Sequence, residues 1–172
     1  MHSDEGVDPA WIDSETKVFE APGDHGDELR LWLRLLTCST LIETEVRRRL
    51  REEFAFTLPR FDLLAQLERA PDGMVLGEVS KRMMVSAGNI TSLVERLVES
   101  GHITRTTSAS DRRVQIISLT PYGHEQFQKM AEAHGDWIGQ LFAGLGSRDI
   151  AALMKDLGKV KQSARAALDR PT

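Results

Sequence analysis

The sequence has few of the residues on which metal and thiol chemistry depend. Cys38 is its only cysteine, so neither an intrachain disulfide nor a cysteine-based zinc site can form. Its five histidines show neither HxxxH nor HExxH spacing. No nucleophile and base occur at a spacing typical of catalysis, so we expect a protein that is not an enzyme and that needs no metal or cofactor.

Long hydrophobic runs are also missing. No stretch of about 18 uncharged apolar residues occurs, which argues against a membrane-spanning helix. The first twenty residues are acidic, unlike a secretory signal. We therefore expect a cytoplasmic protein that does not contact a membrane. Its 172 residues suit one globular domain with an ordinary core.

The net charge of −4 hides an asymmetry along the chain. Residues 1–28 contain nine acidic residues and one lysine, whereas the remainder contains 21 basic and 17 acidic residues. The acidity thus belongs to a Pro- and Gly-containing leader, which we interpret as a flexible arm over residues 1–27. The rest is mildly basic, so the overall charge does not exclude a nucleic-acid partner.

Helical periodicity begins near Glu28 and continues for about 25 residues, with apolar side chains at three- and four-residue steps. Such a helix is longer than most in a compact domain, which indicates packing against a second subunit. We assign residues 28–56 to this dimerisation and linker helix. Two further helices, opened by Pro121 and separated by Gly144 and Gly146, make residues 121–170 a C-terminal dimerisation region.

Residues 57–120 have the order of a winged helix-turn-helix domain. A helix that carries Pro59 in its first turn ends before Pro71, and a short helical segment at 75–84 follows it. A third helix spans residues 87–100 and stops at Gly101. Two strands at 103–107 and 114–120 then form a hairpin with a charged tip. The fold class is therefore mainly α with a small β-hairpin wing.

The third of these helices carries the predicted contacts to double-stranded DNA. The polar residues at its start lie outside the apolar stripe and can face DNA. There asparagine can pair with adenine, and serine can contact bases or phosphates. At the hairpin tip, an arginine can enter the narrow minor groove, while Asp111 holds an arginine in one rotamer. The residues that we expect to contact DNA are Ser86, Ala87, Gly88, Asn89, Ser92, Arg96, Arg112 and Arg113.

Two segments closely resemble the MarR family, the multiple-antibiotic-resistance type of bacterial regulators. They are NITSLVERLVESGHI at 89–103 and SASDRRVQIISLTPYG at 108–123. The resemblance implies that Arg113 enters the minor groove beside Arg112 and that residues 86–89 and 92 read the major groove. Ser92 stands where many relatives carry an arginine, which is a departure at one DNA contact.

The resemblance also implies an obligate homodimer, formed by the first and last helices, and a small-ligand pocket between its dimerisation and DNA-binding parts. It further implies a regulator, more often a repressor, that occupies a pseudo-palindromic operator and leaves it when a small effector binds. An aromatic and basic cluster indicates where an aromatic or acyl anion could bind. Its members are Arg47, Arg51, Phe54, Phe56, Arg60 and Phe61.

Several of these residues can also have a purely structural role. The arginines of the first helix can form a solvated face, and the three phenylalanines can belong to the core. Cys38 can sense oxidants, as in some relatives, although packing among Leu35, Leu41 and Ile42 is the simpler interpretation. A winged-helix domain can also serve only protein contacts, because a fold does not determine a function.

Overall fold

The computed structural model describes residues 26–83, 87–108 and 114–169. The helices in these ranges are α1 Gly26–Phe54, α2 Leu58–Glu68, α3 Leu76–Met83, α4 Ala87–Glu99, α5 Pro121–Leu141 and α6 Ser147–Leu168. The strands are β1 Met74–Val75, β2 Ile103–Thr107 and β3 Gln115–Leu119. The predicted fold class, helical with a small β wing, is confirmed. The predicted arm at 1–27 lies almost wholly outside the described residues.

The core is built around α2, which contacts α1, α3, α4 and β3. Its side chains Phe61, Leu63, Leu64 and Leu67 are buried. They belong to a larger apolar set that includes Val79 of α3, Ile90, Val94 and Leu97 of α4, and Ile117 of β3. Because the buried residues of α2 and α4 recur at helical spacing, each of these two helices buries one stripe and exposes the opposite face.

The end of α1 is shaped by a left-handed residue, Ala55, at φ 50°. Its N–H donates to the carbonyl of Arg51, and the Phe56 N–H donates to that of Leu50, which closes the last turn. The reversal places Phe56 in the core at 5% exposure. Thr57 stands at the start of α2 but forms no side-chain cap there, while Pro59 lies in the first turn as predicted.

The sheet contains a strand that sequence analysis missed. The strand order is β1-β3-β2 and all pairing is antiparallel, with Met74 opposite Ile117 and Ile103 opposite Leu119. Strand β1 is only two residues long, too short to show an alternating pattern. Gly73 precedes it at φ 83°, where an added Cβ would lie 2.9 Å from the Ile117 carbonyl oxygen.

The chain divides into two compact units, one ending at Gly135 and the other beginning at Asp136. The first contains α1 to α4, the sheet and most of α5. In the second, α6 has no buried residue along its 22 positions. The Gly146 N–H donates to the Asp149 carboxylate at 2.9 Å, which satisfies a free donor at the helix start. Among the described helices, none is long and apolar enough to cross a membrane.

Candidate nucleic-acid interface

Helix α4 separates its apolar and polar residues by face. Ile90, Val94 and Leu97 are at most 1% exposed and fix the helix to the core. Asn89, Ser92 and Arg96 are exposed and are spaced by three and four residues, so they share another face. The first of these is near the helix N-terminus, where backbone N–H groups attract anions. A rigidly anchored helix therefore presents an amide, a hydroxyl and a guanidinium to solvent.

The exposed face of α4 borders a shallow groove of about 300 Å³. Its lining residues are Pro59 of α2 and Asn89, Ser92, Leu93 and Arg96 of α4. The structure thus brings together three of the residues that the sequence predicted for DNA contact. A second cleft, of about 430 Å³, lies beside α4 and is lined by residues of α3 and β3 that include Lys81 and Gln115.

The start of α4 is only partly described. Ser86 lies outside the described residues, and Ala87 is the first residue of the helix. Gly88 is exposed, and a Cβ added there would meet nothing within 4 Å. A partner surface can therefore approach the backbone closely at this turn, which supports the predicted role of Gly88 without testing it.

The wing is formed by β2 and β3, paired from Ile103–Leu119 to Thr107–Gln115. Cross-strand hydrogen bonds join the exposed side chains: Arg105 Nε donates to Gln115 Oε1 at 3.1 Å, and the hydroxyls of Thr104 and Ser118 lie 3.0 Å apart. The tip residues Asp111, Arg112 and Arg113 lie outside the described residues, so their predicted roles stay predictions. The tip connects the end of β2 at Thr107 with the start of β3 at Gln115.

The base of the wing is joined to α5 by a contact that sequence analysis did not assign. The Thr120 hydroxyl donates to the Gly101 carbonyl at 2.7 Å and accepts from the Gly123 N–H at 2.9 Å. An added Cβ on Gly123 would lie 1.8 Å from the His102 carbonyl oxygen, so only glycine permits this approach. The signal in the sequence is a glycine within the first turn of a predicted helix.

His102 lies at the same junction and is 9% exposed. Its ring centroid is 5.2 Å from that of Phe56 and 5.0 Å from that of Tyr122. Burial, reinforced by the positive charge of Arg60, holds the pKa of His102 below its usual value, although a hydrogen bond to the Ser100 backbone acts the other way. The neutral imidazole is therefore the form that the fold favours.

The residues predicted for ligand binding occupy different environments. Arg47 Nε donates to the Glu43 carboxylate at 2.9 Å, and Arg51 is exposed. Phe61 is buried, with its ring centroid 5.5 Å from that of Phe127, and Phe54 is half-buried. The buried phenylalanines thus serve the core in the chain as described.

Arg60 is the most distinctive member of the predicted ligand cluster. Its Cζ lies 5.3 Å from the centroid of the buried Phe56 ring. Its Nε is buried and has no hydrogen-bond partner among the described residues. A buried donor without a partner is costly and often marks a place where another acceptor binds.

Cys38 is exposed on α1. In the single chain α1 buries only Val46 and Leu50, both nearer its C-terminus, so the expected packing of this thiol stays a prediction that a second copy would have to satisfy. Within the described ranges, no group of three or more His, Cys, Asp or Glu side chains could hold a metal ion.

Comparison with known proteins places this geometry in a family. Residues 56–114 match the model of the MarR family. The transcriptional activatory protein BadR of Rhodopseudomonas palustris is 25% identical over 140 residues, which cover 77% of this chain and 79% of the relative.

Solved structures extend the similarity beyond the winged segment. A MarR family transcriptional regulator from Silicibacter pomeroyi is 30% identical, with a TM-score of 0.71 over 83% of this chain and 99% of its own. FabT of Streptococcus pneumoniae, solved in complex with DNA, has the same fold at 23% identity and a TM-score of 0.69, covering 82% of this chain and 99% of its own. With the α4 face and the wing already described, these similarities show that the chain belongs to the MarR family of winged helix-turn-helix transcriptional regulators.

Proposed function

We propose that this regulator binds a specific site in duplex DNA by placing α4 in the major groove and the wing tip in the minor groove. The observation that carries the proposal is the division of α4 into a buried stripe and an exposed face with Asn89, Ser92 and Arg96. Base contacts from this face would determine sequence, while Arg112 and Arg113 of the tip would add minor-groove contacts. Its site of action is then the cytoplasm.

The binding unit that we propose is a homodimer. Each compact unit exposes apolar side chains whose contact with water is unfavourable. A second copy of this chain would cover them, and a two-fold dimer would match the two-fold symmetry of a pseudo-palindromic operator. In α1 these side chains include Leu31, Trp32 and Leu36, and in α6 they include Ile150, Leu153, Met154 and Leu157. A dimer would address two half-sites about 34 Å apart, one helical turn of DNA.

A dimer that covers a promoter would act as a repressor, because it would exclude the polymerase. Activation is the alternative direction, since the relative BadR is described as a transcriptional activatory protein. Transcription in vitro from a promoter that carries the selected site decides it. A fall in transcript with added protein supports repression, and a rise contradicts it.

We also propose that a small aromatic or acyl anion releases the protein from DNA. The unpartnered Arg60 Nε beside the Phe56 ring supports this, because it combines an apolar wall with an unused cationic donor. Arg47, Arg51, Phe54 and Phe61 complete the proposed site. Such a ligand acts only through different affinities for the free and DNA-bound conformations.

The test of DNA binding begins with selection of a preferred duplex from a random library. Asn89→Ala should then lower affinity for the selected duplex more than for scrambled DNA, because base contacts specify and phosphate contacts position. Arg113→Ala should weaken binding by about 1 to 3 kcal/mol. Gln162→Ala on α6 is the matched surface control and should bind like the parent. Equal losses on both duplexes would contradict base reading by Asn89.

The effector proposal is tested by calorimetric titration of aromatic carboxylic acids and their thioesters into free and DNA-bound protein. An authentic effector should bind the free form about 5- to 150-fold more tightly, the usual range of allosteric coupling. Arg60→Gln and Arg47→Ala should weaken binding if the carboxylate is held there. Equal affinity for the free and DNA-bound forms, or variants that titrate like the parent, would exclude this site.

A further inference from the structure

We propose that His102 is a positioning residue whose neutral imidazole holds the recognition helix and the wing against α5, and whose protonation loosens this joint. The inference deepens the proposed DNA-binding function, because the joint would set the orientation of α4 and the wing. The joint itself is argued from contacts that do not depend on DNA.

The backbone of His102 connects three elements. It follows Gly101, at φ 74°, and is the last of the three residues between α4 and β2. Its N–H donates to the Leu97 carbonyl at 2.9 Å, which closes the end of α4. Its carbonyl accepts from the N–H of Thr120 at 3.0 Å and lies against Gly123 of α5. Movement of this residue would therefore displace the recognition helix, the wing and α5 together.

The side chain of His102 adds a second connection. Its ring lies between Phe56, in the linker from α1 to α2, and Tyr122 in α5, with centroid distances of 5.2 and 5.0 Å. Both ring pairs are tilted, by 49° and 56°, at centroid distances typical of aromatic contacts. One planar side chain thus links the turn that leaves α4 with two other elements.

Hydrogen bonding favours one tautomer of the ring, with the proton on Nδ1. The Ser100 hydroxyl donates to the Arg96 carbonyl at 2.8 Å, and the same oxygen lies 2.9 Å from His102 Nδ1. Because the hydroxyl has a single proton, Nδ1 must donate to it when that proton is used for Arg96. The second proton of an imidazolium would then have to bind at Nε2.

Burial, and then charge, makes that second proton unfavourable. Arg60 of α2 is the cation that acts on the ring, and Tyr122 is the titratable neighbour from α5, while the linker contributes the uncharged Phe56. Protonation would bury a second positive charge near Arg60, whose own Nε has no partner among the described residues. Since the pKa of His102 is lower in the folded chain than in the unfolded one, stability is full above the unfolded value and falls as pH decreases through it.

The experiment measures the joint directly in the full chain. Spin labels are placed on the exposed positions Glu95 of α4 and Lys129 of α5, in a Cys38→Ser background diluted with unlabelled protein. At about pH 7.5 we expect a narrow distance distribution, which should broaden at about pH 4.5, because the lowered pKa of His102 requires a pH well below the usual histidine value for protonation. His102→Phe keeps the ring and removes the proton site, so its distribution should stay narrow at both pH values.

Three further variants separate positioning from simple stability. His102→Ala should be broad at both pH values, and circular dichroism establishes that it remains folded. His124→Gln is the matched histidine control: His124 Nδ1 contacts the Glu68 carboxylate at 2.8 Å, so it also joins α5 to α2, but its side chain is 57% exposed. It should keep the pH response of the parent. Ser100→Ala should shift that response by removing the bond to Nδ1.

A parent distribution that does not change with pH, or a His102→Phe variant that responds like the parent, overturns the proposal. In a second arm, the ratio of DNA affinities of the parent and His102→Phe should fall about tenfold between the two pH values, within the usual range of coupling. Comparing the two proteins cancels general effects near the pI of 5.8. A normal spectroscopic response without binding to any duplex would support the joint and refute the DNA-binding function.

Discussion

Helices α2 and α6 carry similar apolar patterns but reach opposite outcomes. In α2, 11 residues long, Phe61, Leu63, Leu64 and Leu67 are buried. In α6, twice as long at 22 residues, no residue is buried, and Met154 is 70% exposed. An amphipathic pattern therefore predicts an apolar face, but it does not predict whether the same chain buries that face.

Helix α1 repeats the contrast within a single element. Near its C-terminus Val46 and Leu50 are at most 3% exposed, whereas nearer its N-terminus Leu31 and Trp32 are 49% and 57% exposed. Exposed apolar surface of this extent usually marks an interface. The winged domain therefore encloses its own core, while the N-terminal half of α1 and the whole of α6 leave apolar side chains exposed that the proposed dimer would cover.

The largest expected effect is on the enclosed core. Leu64→Ala should lower the free energy of unfolding by about 2 to 5 kcal/mol, because Leu64 is fully buried and its removal leaves a cavity. Urea unfolding measures it. The control is Leu168→Ala at the end of α6, 84% exposed, which should change stability by less than about 0.5 kcal/mol. A comparable loss at Leu168 would show that α6 is enclosed as tightly as α2.

The second prediction compares two glycines of α5. Gly123→Ala should destabilise by about 1 to 3 kcal/mol, since its Cβ would overlap the His102 carbonyl oxygen. Gly139→Ala meets nothing within 4 Å and should stabilise by about 0.5 to 1 kcal/mol, as alanine favours a helix interior. Thermal unfolding of both variants gives the two signs. If they agreed in sign, the close approach at Gly123 would not be important to stability.

The third prediction tests the partner of α6. Leu157→Glu should raise the dimer dissociation constant about tenfold or more, because a carboxylate would have to be buried in an apolar contact. Ala152→Glu, on the opposite face of the same helix, is the matched control and should change it little. Sedimentation equilibrium measures both. A parent protein that is monomeric at micromolar concentration would contradict the proposal that a second copy covers the apolar face of α6.

The smallest expected effect lies on the charged surface of α1. Hydrogen bonds from Arg48 and then Arg49 lower the pKa of Glu45 to about 2. The carboxylate therefore contributes stability above its usual pKa and loses it as pH falls towards 2. Arg48→Ala should raise the pKa of Glu45, which NMR titration measures. It should change the free energy of unfolding less than Leu64→Ala or Gly123→Ala does. An unchanged titration would mean that Arg49 alone sets the pKa.

Several features could be predicted because their causes are local. The start of α5 at Pro121, the end of α4 before Gly101 and the strand at Ile103–Thr107 follow from residue preferences over a few positions. The exposed row of Asn89, Ser92 and Arg96 follows from the period of the same helix. By contrast, β1 and the Arg60 to Phe56 contact depend on distant partners, so no local pattern could reveal them.

The sequence by itself determined the order of the helices and of the two wing strands, the apolar stripe of each helix and the polar residues outside that stripe on α4, because these depend on neighbours within a turn or two. Only the tertiary structure decided which stripes are covered, that Gly123 must admit the His102 carbonyl, and that His102 lies between Phe56 and Tyr122. Those outcomes require residues separated by tens of positions to meet. Periodicity and composition contain no information on which residues distant in sequence lie close in space, whereas packing depends on those contacts.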